Sequence, residues 1–187
     1  MQDDTELVRL ALEEEDHQAY ARLVDKYKGK IFSFLYRMLG QPEDAQDMAQ
    51  EVFTKAYFQL HKFRPYSNFS AWLYRMAANH CLDALRRQKR SIQTTEEEIE
   101  LIDAETPEDT FLQKEQKQLL LCQVMGLEEE YRSIVVMRYI DQLSYREISE
   151  AMAIPMTTVQ MRLHRARKKL RDGLEKGGIS YHEMSQI

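Results

Sequence analysis

Cations cluster near the carboxyl end of the chain, where residues 153–172 have the sequence AIPMTTVQMRLHRARKKLRD. This segment holds six of the chain's 26 lysines and arginines. Helical spacing puts one narrow apolar stripe on it, which predicts a helix packed on one side. The stripe is formed by Val159, Leu163, Ala166 and Leu170. The opposite face is expected to carry Thr157, Thr158, Met161, His164, Arg165, Lys168 and Lys169.

This charge pattern favours contact with a polyanion. A solvated helix face usually alternates charge sign, because oppositely charged side chains four positions apart stabilise a helix. Here the six cations are accompanied only by Asp172 and Glu175, so we expect their repulsion to persist until a polyanion binds. Short hydroxyls followed by cations suit a helix in the major groove, with its first turn at base edges and later turns against phosphates. The alternative is an exposed basic helix without a ligand.

A second helix must position this one. The preceding sequence LSYREISEAM contains Ser144 and Glu147 at capping-box spacing, flanked by Leu143 and Ile148 at the two positions of a hydrophobic staple. A helix beginning there and ending near AIP leaves only three or four residues before the basic helix. Two helices joined by so short a turn form a helix-turn-helix arrangement.

Aromatic, amide and cationic side chains also share one face of the predicted helix FSAWLYRMAANHCLDALRRQKR. Such mixtures suit single-stranded nucleic acid, because rings stack on unpaired bases and cations follow the backbone. The alternative is that Phe69 and Trp72 anchor the preceding turn to the core. The stripe contains Trp72, Met76, Asn79, Asp83, Arg87 and Arg90, with Arg75 and Arg86 beside it and Phe63, Tyr66 and Phe69 before it. On the opposite, small and aliphatic face, Cys81 is expected to be a buried apolar residue.

A third surface is acidic. The segment QPEDAQDMAQEVFTKAYFQL begins with Pro42 and two carboxylates, which favour a helix start. Its outward face is expected to carry Asp44, Asp47, Gln50, Glu51 and Thr54. Upstream, residues 5–39 show helical apolar spacing, with Gly29 a weak point and Gly40 a predicted stop.

Composition limits the fold and the compartment. The 187 residues include only 6 Gly and 4 Pro, and helix-forming residues dominate, so we predict an all-α protein. Cys81 and Cys122 lie far apart, which indicates a reducing compartment without a disulfide framework or a zinc site. No apolar run approaches the length of a membrane span, and the acidic start of the chain does not resemble a signal peptide. We therefore expect a cytoplasmic protein.

The net charge of −5 alone argues against a general nucleic-acid binder, but the charges are segregated. Residues 91–110 carry eight carboxylates and no Lys or Arg, between two basic segments. This pattern predicts two modules on a linker, and the alternative is one helical domain with an acidic loop. The predicted parts are a domain at 1–91, an acidic flexible linker at 92–110, a helix-turn-helix domain at 111–176 and a tail at 177–187.

Three of these segments, taken in order, resemble the extracytoplasmic-function (ECF, group 4) sigma factors of bacterial RNA polymerase. They are PEDAQDMAQEVFTKAY, FSAWLYRMAANHCLDALRR and LSYREISEAMAIPMTTVQMRLHRARKKL. The resemblance implies a sigma region 2-like domain of three to four helices that binds core polymerase and the promoter −10 element. It also implies a sigma region 4-like helix-turn-helix domain that binds the −35 element, with the linker following the active-site cleft. The expected partners are core RNA polymerase, through its β′ clamp and β flap, promoter DNA, and an anti-sigma factor linked to the membrane.

The resemblance also assigns residues to these roles. On the acidic helix, Asp44, Asp47, Gln50, Glu51 and Thr54 are expected to bind the polymerase. The −10 strand, with one base flipped into a preformed pocket, is expected to contact His61, Phe63, Tyr66, Ser67, Asn68, Trp72, Arg75, Met76, Asn79, Asp83, Arg86 and Arg87. The −35 element is expected to contact Arg138, Ser144, Thr157, Thr158, Gln160, Met161, Arg162, His164, Arg165, Arg167, Lys168 and Lys169.

The recognition helix departs from the family pattern at its first turns. Where many members have Gly and then a cation, this chain has Thr157 and Gln160. A glutamine can pair with adenine in the major groove, and Met161 could contact a thymine methyl group. The family's usual −35 sequence therefore does not transfer to this chain.

Other classes of function explain less of the sequence. A stand-alone helix-turn-helix regulator would account for residues 143–171 but not for residues 43–90. A sigma-like decoy for an anti-sigma factor would not need the cations on both helices. An enzyme is the weakest reading, because the five scattered histidines form no triad and no glycine-rich phosphate loop is present. We expect no catalytic residue, no cofactor and no metal, and a chain that is monomeric on its own.

Overall fold

The computed structural model describes residues 4–14, 16–63, 68–91 and 120–176, and every regular element within these ranges is helical. This confirms the predicted all-α class. The predicted linker, the start of the following helix and the tail lie outside the described residues. The elements are α1 (Asp4–Glu13), α2 (His17–Leu39), α3 (Pro42–Gln59), a 3₁₀ turn (Leu60–Lys62), α4 (Phe69–Ser91), α5 (described over 120–125), α6 (Glu129–Val135), a π-helical turn (Val136–Ile140), α7 (Tyr145–Met152) and α8 (Met156–Lys176).

The junction between α2 and α3 follows the sequence signals. Gly40 adopts φ 84°, a left-handed conformation that favours glycine, and its N–H donates to the Tyr36 carbonyl at 2.8 Å. Pro42 opens α3, followed by Glu43 and Asp44 in the first turn. The predicted stop and start are both confirmed. Helix α2 also passes through Gly29 without a break.

The apolar pattern over residues 5–39 belongs to two helices. Asp16 separates them, because its carboxylate accepts the Gln18 N–H at 2.9 Å and caps the start of α2. Helix α1 then folds back on α2, where the Tyr27 hydroxyl donates to Asp4 at 2.5 Å. The apolar residues keep their helical spacing across the Asp16 cap, so this spacing alone did not indicate the turn between α1 and α2.

The helix-turn-helix is present as predicted. The Ser144 hydroxyl accepts the Glu147 N–H at 3.2 Å, and the Glu147 carboxylate accepts the Ser144 N–H at 2.8 Å. This is the predicted capping box, and Leu143 and Ile148 beside it are both buried. Helix α7 ends at Ala153, which adopts φ 52° in the left-handed region at some steric cost, and α8 begins at Met156.

Two groups of helices share one continuous apolar core. Helices α1 to α4 pack around Ile31, Phe34 and Leu73, and helices α6 to α8 pack around Ile148 and Leu163. The groups meet where α7 lies against α4 and α6 lies against α2. No helix in the described ranges is both long and apolar enough to cross a membrane.

A half-buried aspartate with one buried carboxylate oxygen lies at this junction. Asp141, directly after the π-helical turn, faces Tyr74 of α4 and Arg37 and Lys30 of α2. Burial raises the pKa of Asp141 to about 6, although Tyr74 and the two cations act in the opposite direction. Among the described residues, the Asp141 Oδ2 atom and the Tyr74 hydroxyl have no hydrogen bond of normal geometry.

Asp141→Asn should therefore stabilise the fold at neutral pH. A carboxyl whose folded pKa is raised costs stability above its unfolded pKa, and the cost is complete once the pH exceeds the folded value. The gain in unfolding free energy from Asp141→Asn should grow by about 2 kcal/mol between pH 4.5 and pH 7.5. Urea unfolding of both proteins at several pH values measures it, and a gain independent of pH would contradict a buried, ionising Asp141.

Candidate nucleic-acid interface

Helix α8 presents the surface that its spacing predicted. The predicted apolar stripe is buried, with Val159, Leu163 and Ala166 fully covered and Leu170 nearly so. On the outer side, every predicted residue is exposed except Thr158, which is half-buried. Gln160 and Arg167 are exposed as well. This side of α8 can lie in a groove without disturbing the core.

Part of the cationic charge is neutralised within the chain, so the expectation of unrelieved repulsion was wrong. Three consecutive glutamates, Glu128, Glu129 and Glu130, stand at the start of α6 beside α8. Glu130 lies 2.7 Å from Arg162, and Glu128 lies 2.5 Å from Lys169, whose ammonium also sits over the Tyr131 ring at 4.8 Å. Local spacing along α8 could not show these carboxylates, since they come from another helix.

The same acidic triplet reaches the basic end of α4. Lys89 lies 2.5 Å from Glu129, and Arg86 lies 4.0 Å from Glu130. Burial opposes ionisation of Glu129, but the Lys89 ammonium and the nearby Arg132 hold the pKa of that carboxyl below its ordinary value. Carboxylates of one helix thus pair with cations of both predicted DNA-binding helices.

Other cations of α8 remain available to a ligand. In the described part of the chain, no ion pair involves Arg165, Arg167 or Lys168, and all three are exposed. Two further residues predicted for the −35 element are engaged locally. Arg138 is half-buried, donates to the Leu143 carbonyl at 2.9 Å and lies over the Tyr145 ring, while the Ser144 oxygen caps α7.

The aromatic residues before α4 are mostly core residues. Phe63, Phe69 and Trp72 pack against one another, with ring centroids 5.5–5.7 Å apart, and only 5% of Phe63 and 3% of Phe69 is exposed. The prediction that Phe63 is available to unpaired bases is wrong for this structure, because its ring is buried against Phe69 and Trp72. The alternative of a core anchor holds for Phe69. Trp72 is half-buried and keeps one side accessible.

Further along α4, the polar side chains of the predicted stripe are exposed. A cleft of about 490 Å³ between α4 and α7 is lined by Lys62, Asn68, Ala71, Trp72, Arg75, Ser149, Glu150 and Ala153. His61, Arg75, Asn79, Asp83, Arg86 and Arg87 are exposed and Met76 is half-buried. Tyr66, Ser67 and the Arg90 side chain lie outside the described residues.

Contacts with α7 constrain the beginning of α4. The Asn68 amide oxygen accepts the Ala71 N–H at 3.2 Å, and its nitrogen donates to Glu147 at 2.9 Å. Glu147 belongs to the capping box of α7, so one carboxylate joins the helix-turn-helix to the predicted −10 surface. The first helix of the helix-turn-helix therefore lies beside the groove where unpaired bases would enter.

The acidic face of α3 is exposed at every predicted position. Asp47, Gln50, Glu51, Thr54 and Lys55 line a shallow depression of about 460 Å³, and Asp44 is exposed beside them. The buried side of α3 is the opposite one, formed by Ala45, Ala49, Val52 and Ala56.

His80 supports this face, which sequence reasoning did not predict. Its Nε2 atom lies 2.5 Å from Glu51, and its Nδ1 atom lies 2.8 Å from the Lys55 ammonium. An ammonium can only donate, so Nδ1 must accept and Nε2 must carry the proton that is donated to Glu51. His80 thus bridges α4 to α3 through Glu51 and Lys55. Only the contact between the two helices brings together Glu51 and His80, which are 29 positions apart in the sequence.

Cys81 has a structural role. It is fully buried between α4 and its neighbours, and burial raises the pKa of its thiol to about 12.

No group of three His, Cys, Asp or Glu side chains in the described ranges is placed to hold a metal ion.

Comparison with known proteins shows the family to which the chain belongs. The sigma-70 region 2 model matches residues 23–91, and the sigma-70 region 4 model matches residues 117–170. The ECF RNA polymerase sigma factor SigW of Bacillus subtilis is 37% identical over 169 residues, covering 85% of this chain and 90% of SigW. The chain belongs to the ECF sigma factors. The ECF RNA polymerase sigma-E factor of Escherichia coli K12 is 34% identical, covering 83% of this chain and 86% of that protein.

Two solved structures share the fold. CnrH, in complex with the cytosolic domain of CnrY, superposes with a TM-score of 0.69 at 21% identity, covering 92% of this chain and 97% of CnrH. The sigma factor RpoE of Bartonella quintana, in complex with the anti-sigma factor NepR, gives a TM-score of 0.71 at 19% identity, covering 83% and 96%. The sigma region 2 and sigma region 4 matches correspond to α2–α4 and to α5–α8 of this ECF sigma factor.

Removing one carboxylate of the acidic triplet should strengthen DNA binding by the free chain. Glu130→Gln releases Arg162 from its ion pair, so one more cation becomes available to phosphates. We expect several-fold tighter binding to non-specific duplex DNA and a steeper dependence of affinity on salt, measured by fluorescence anisotropy. Glu13→Gln makes the same charge change beside Arg9 of α1 and serves as the control. Equal affinities for the two variants would contradict this role of Glu130.

Proposed function

We propose that this chain directs core RNA polymerase to specific promoters by binding energy and without catalysis of its own. One observation carries the proposal. A single chain presents, on three helices in the family order, an acidic face, a groove with aromatic, amide and cationic groups, and a cationic face with short hydroxyls at its start. A stand-alone helix-turn-helix regulator would use only the last of these.

Helix α8 would bind the duplex −35 element. Thr157 and Thr158 lie in its first turn, where a recognition helix meets base edges, and Gln160 and Met161 follow on the exposed side. Arg165, Arg167 and Lys168 have no internal carboxylate partner in the described residues and would meet the phosphates. Arg162 and Lys169 would exchange Glu130 and Glu128 for phosphate oxygens.

Helix α4 and the turn before it would capture unpaired −10 bases. Trp72 and Met76 supply apolar surface at the cleft, and Asn68 and Asn79 supply amide groups that hydrogen-bond with a flipped base. Asn68 is bonded to Glu147 in the described structure, so α7 would leave α4 before the base enters. The buried Asp141 at the same junction lowers the cost of this separation at neutral pH.

The exposed face of α3 would bind the β′ clamp of the polymerase. Its carboxylates point outward from a helix whose other side is fixed in the core, and His80 fixes the direction of Glu51. A rigid element with exposed charges needs little ordering when it binds a partner.

Control by an anti-sigma factor completes the proposal. The Bartonella RpoE is described in complex with the anti-sigma factor NepR, and the family resemblance implies a regulator linked to the membrane. A regulator that stabilises the contact of α7 with α4 would keep the −10 surface covered. The chain would act in the cytoplasm, where the polymerase is, as a monomer before it joins the enzyme.

Run-off transcription tests the proposal directly. Core polymerase and sheared genomic DNA of the organism that encodes the chain should give defined transcripts only when the chain is added. The double variant Arg165→Ala, Lys168→Ala should reduce the transcripts at least tenfold and lower the salt dependence of promoter binding by about two phosphate contacts. Arg9→Ala, on the surface of α1, is the control and should leave transcription unchanged.

One result would replace the proposal by the alternative. If no transcript depended on the chain, and the chain alone bound specific duplex sites tightly, it would be a stand-alone helix-turn-helix regulator.

A further inference from the structure

An aromatic ring continues the acidic face of α3 at its carboxyl end. Phe58 follows Thr54 by four positions and Glu51 by seven, so the three side chains lie along one side of the helix. In the described residues, 69% of Phe58 is exposed, more than any other large hydrophobic side chain. The face is therefore a carboxylate and amide surface that ends in an apolar group.

Phe58 contributes little to the fold. Its ring meets only the Tyr57 ring, edge to face at 5.7 Å, among the described aromatic contacts. Tyr57 is held by the Tyr20 ring at 5.1 Å and by a hydrogen bond with His17. The core side of α3 is filled by Ala45, Ala49, Val52 and Ala56, so packing does not require an aromatic residue at position 58.

The surroundings of Phe58 are preorganised for a partner. Phe58 lies one helical turn beyond Thr54, at the end of the depression whose floor includes Glu51 and Lys55. The His80 side chain holds both of those side chains against α4. Protein interfaces combine a desolvated aromatic anchor with a polar rim, and the anchor carries most of the binding energy. The α3 face has this arrangement.

We propose that Phe58 is the apolar anchor of the polymerase-binding face of α3, inserted into an apolar recess of core RNA polymerase and flanked by Thr54 and Glu51. This inference rests on the proposed function, because it takes the polymerase as the partner of α3. Continuity with the exposed Asp47, Gln50 and Glu51 selects that occupant. A ring 69% exposed, on a helix otherwise fixed in the core, gains burial only when a partner covers it.

Affinity for core polymerase tests the anchor. With the full chain labelled and titrated with core polymerase in the absence of DNA, Phe58→Ala should raise the Kd by about tenfold to thirtyfold. Its thermal unfolding midpoint should stay within about 2 °C of the wild type, because an exposed side chain is removed. Phe58→Leu should recover part of the affinity by restoring apolar volume. Leu12→Ala, an exposed apolar truncation on α1, should leave the Kd unchanged.

The outcomes separate the anchor from the proposed function. Wild-type binding with an unchanged Kd for Phe58→Ala would refute the anchor and leave the sigma function in place. No binding by the wild type would instead refute the proposed function. A concentration-dependent dimer of the wild type that Phe58→Ala abolishes, seen by sedimentation, would assign the ring to contact between copies and overturn the proposal.

Discussion

The guanidinium of the half-buried residue Arg132 connects the two halves of this protein. Arg132 of α6 donates to the Met38 carbonyl at the end of α2 at 2.7 Å, and to the carbonyls of Met125 and Leu127 in the turn before α6. Burial lowers the pKa of Arg132, although Glu129 counteracts it. The Nε atom of Arg132 is buried without a hydrogen-bond partner among the described residues, so its two terminal nitrogens make the hydrogen bonds that join the end of α2 to the turn before α6 in the free chain. The orientation of α6, and with it the position of the acidic triplet, depends on this contact.

The acidic triplet offsets the repulsion between cations of two helices. Two helices rich in cations lie in one small chain, and their repulsion would cost stability without a counter-charge. Glu128, Glu129 and Glu130 supply that charge at the start of α6, where carboxylates also favour the helix dipole. Each exposed ion pair contributes little stability alone. Together the pairs lower the free energy that is gained when DNA phosphates replace the three carboxylates. The same ion pairs should therefore both stabilise the free chain and weaken its binding to random DNA.

Local signals in the sequence defined the helices well. Gly40, Pro42 and the Ser144–Glu147 capping box act through bonds between near neighbours, so their outcome can be derived from spacing alone. The buried stripe of α8 and the exposed face of α3 follow from helical periodicity in the same way. The burial of Phe63 and Phe69 could not be derived in this way. An aromatic residue at or just before a helix start can pack into a core or stack on a base, and its spacing does not distinguish the two.

Tertiary contacts account for the rest of what the sequence did not show. Glu147 meets Asn68 across 79 positions, and Arg132 meets Met38 across 94. Neither pair carries a local signal, since each residue also has an ordinary role in its own helix. The same holds for Asp141, which follows a π-helical turn and becomes buried only because α2 and α4 cover it.

The contact of α7 with α4 is the feature on which the account of promoter opening depends, and a distance measurement tests it directly. In a Cys122→Ser background, Ala21→Cys on α2 and Arg146→Cys on α7 place two dyes at exposed sites, one on each side of this contact. Fluorescence energy transfer should be high in the free chain and should fall when core polymerase and promoter DNA are added. High transfer that persists in a complex actively making transcripts would contradict the separation of α7 from α4.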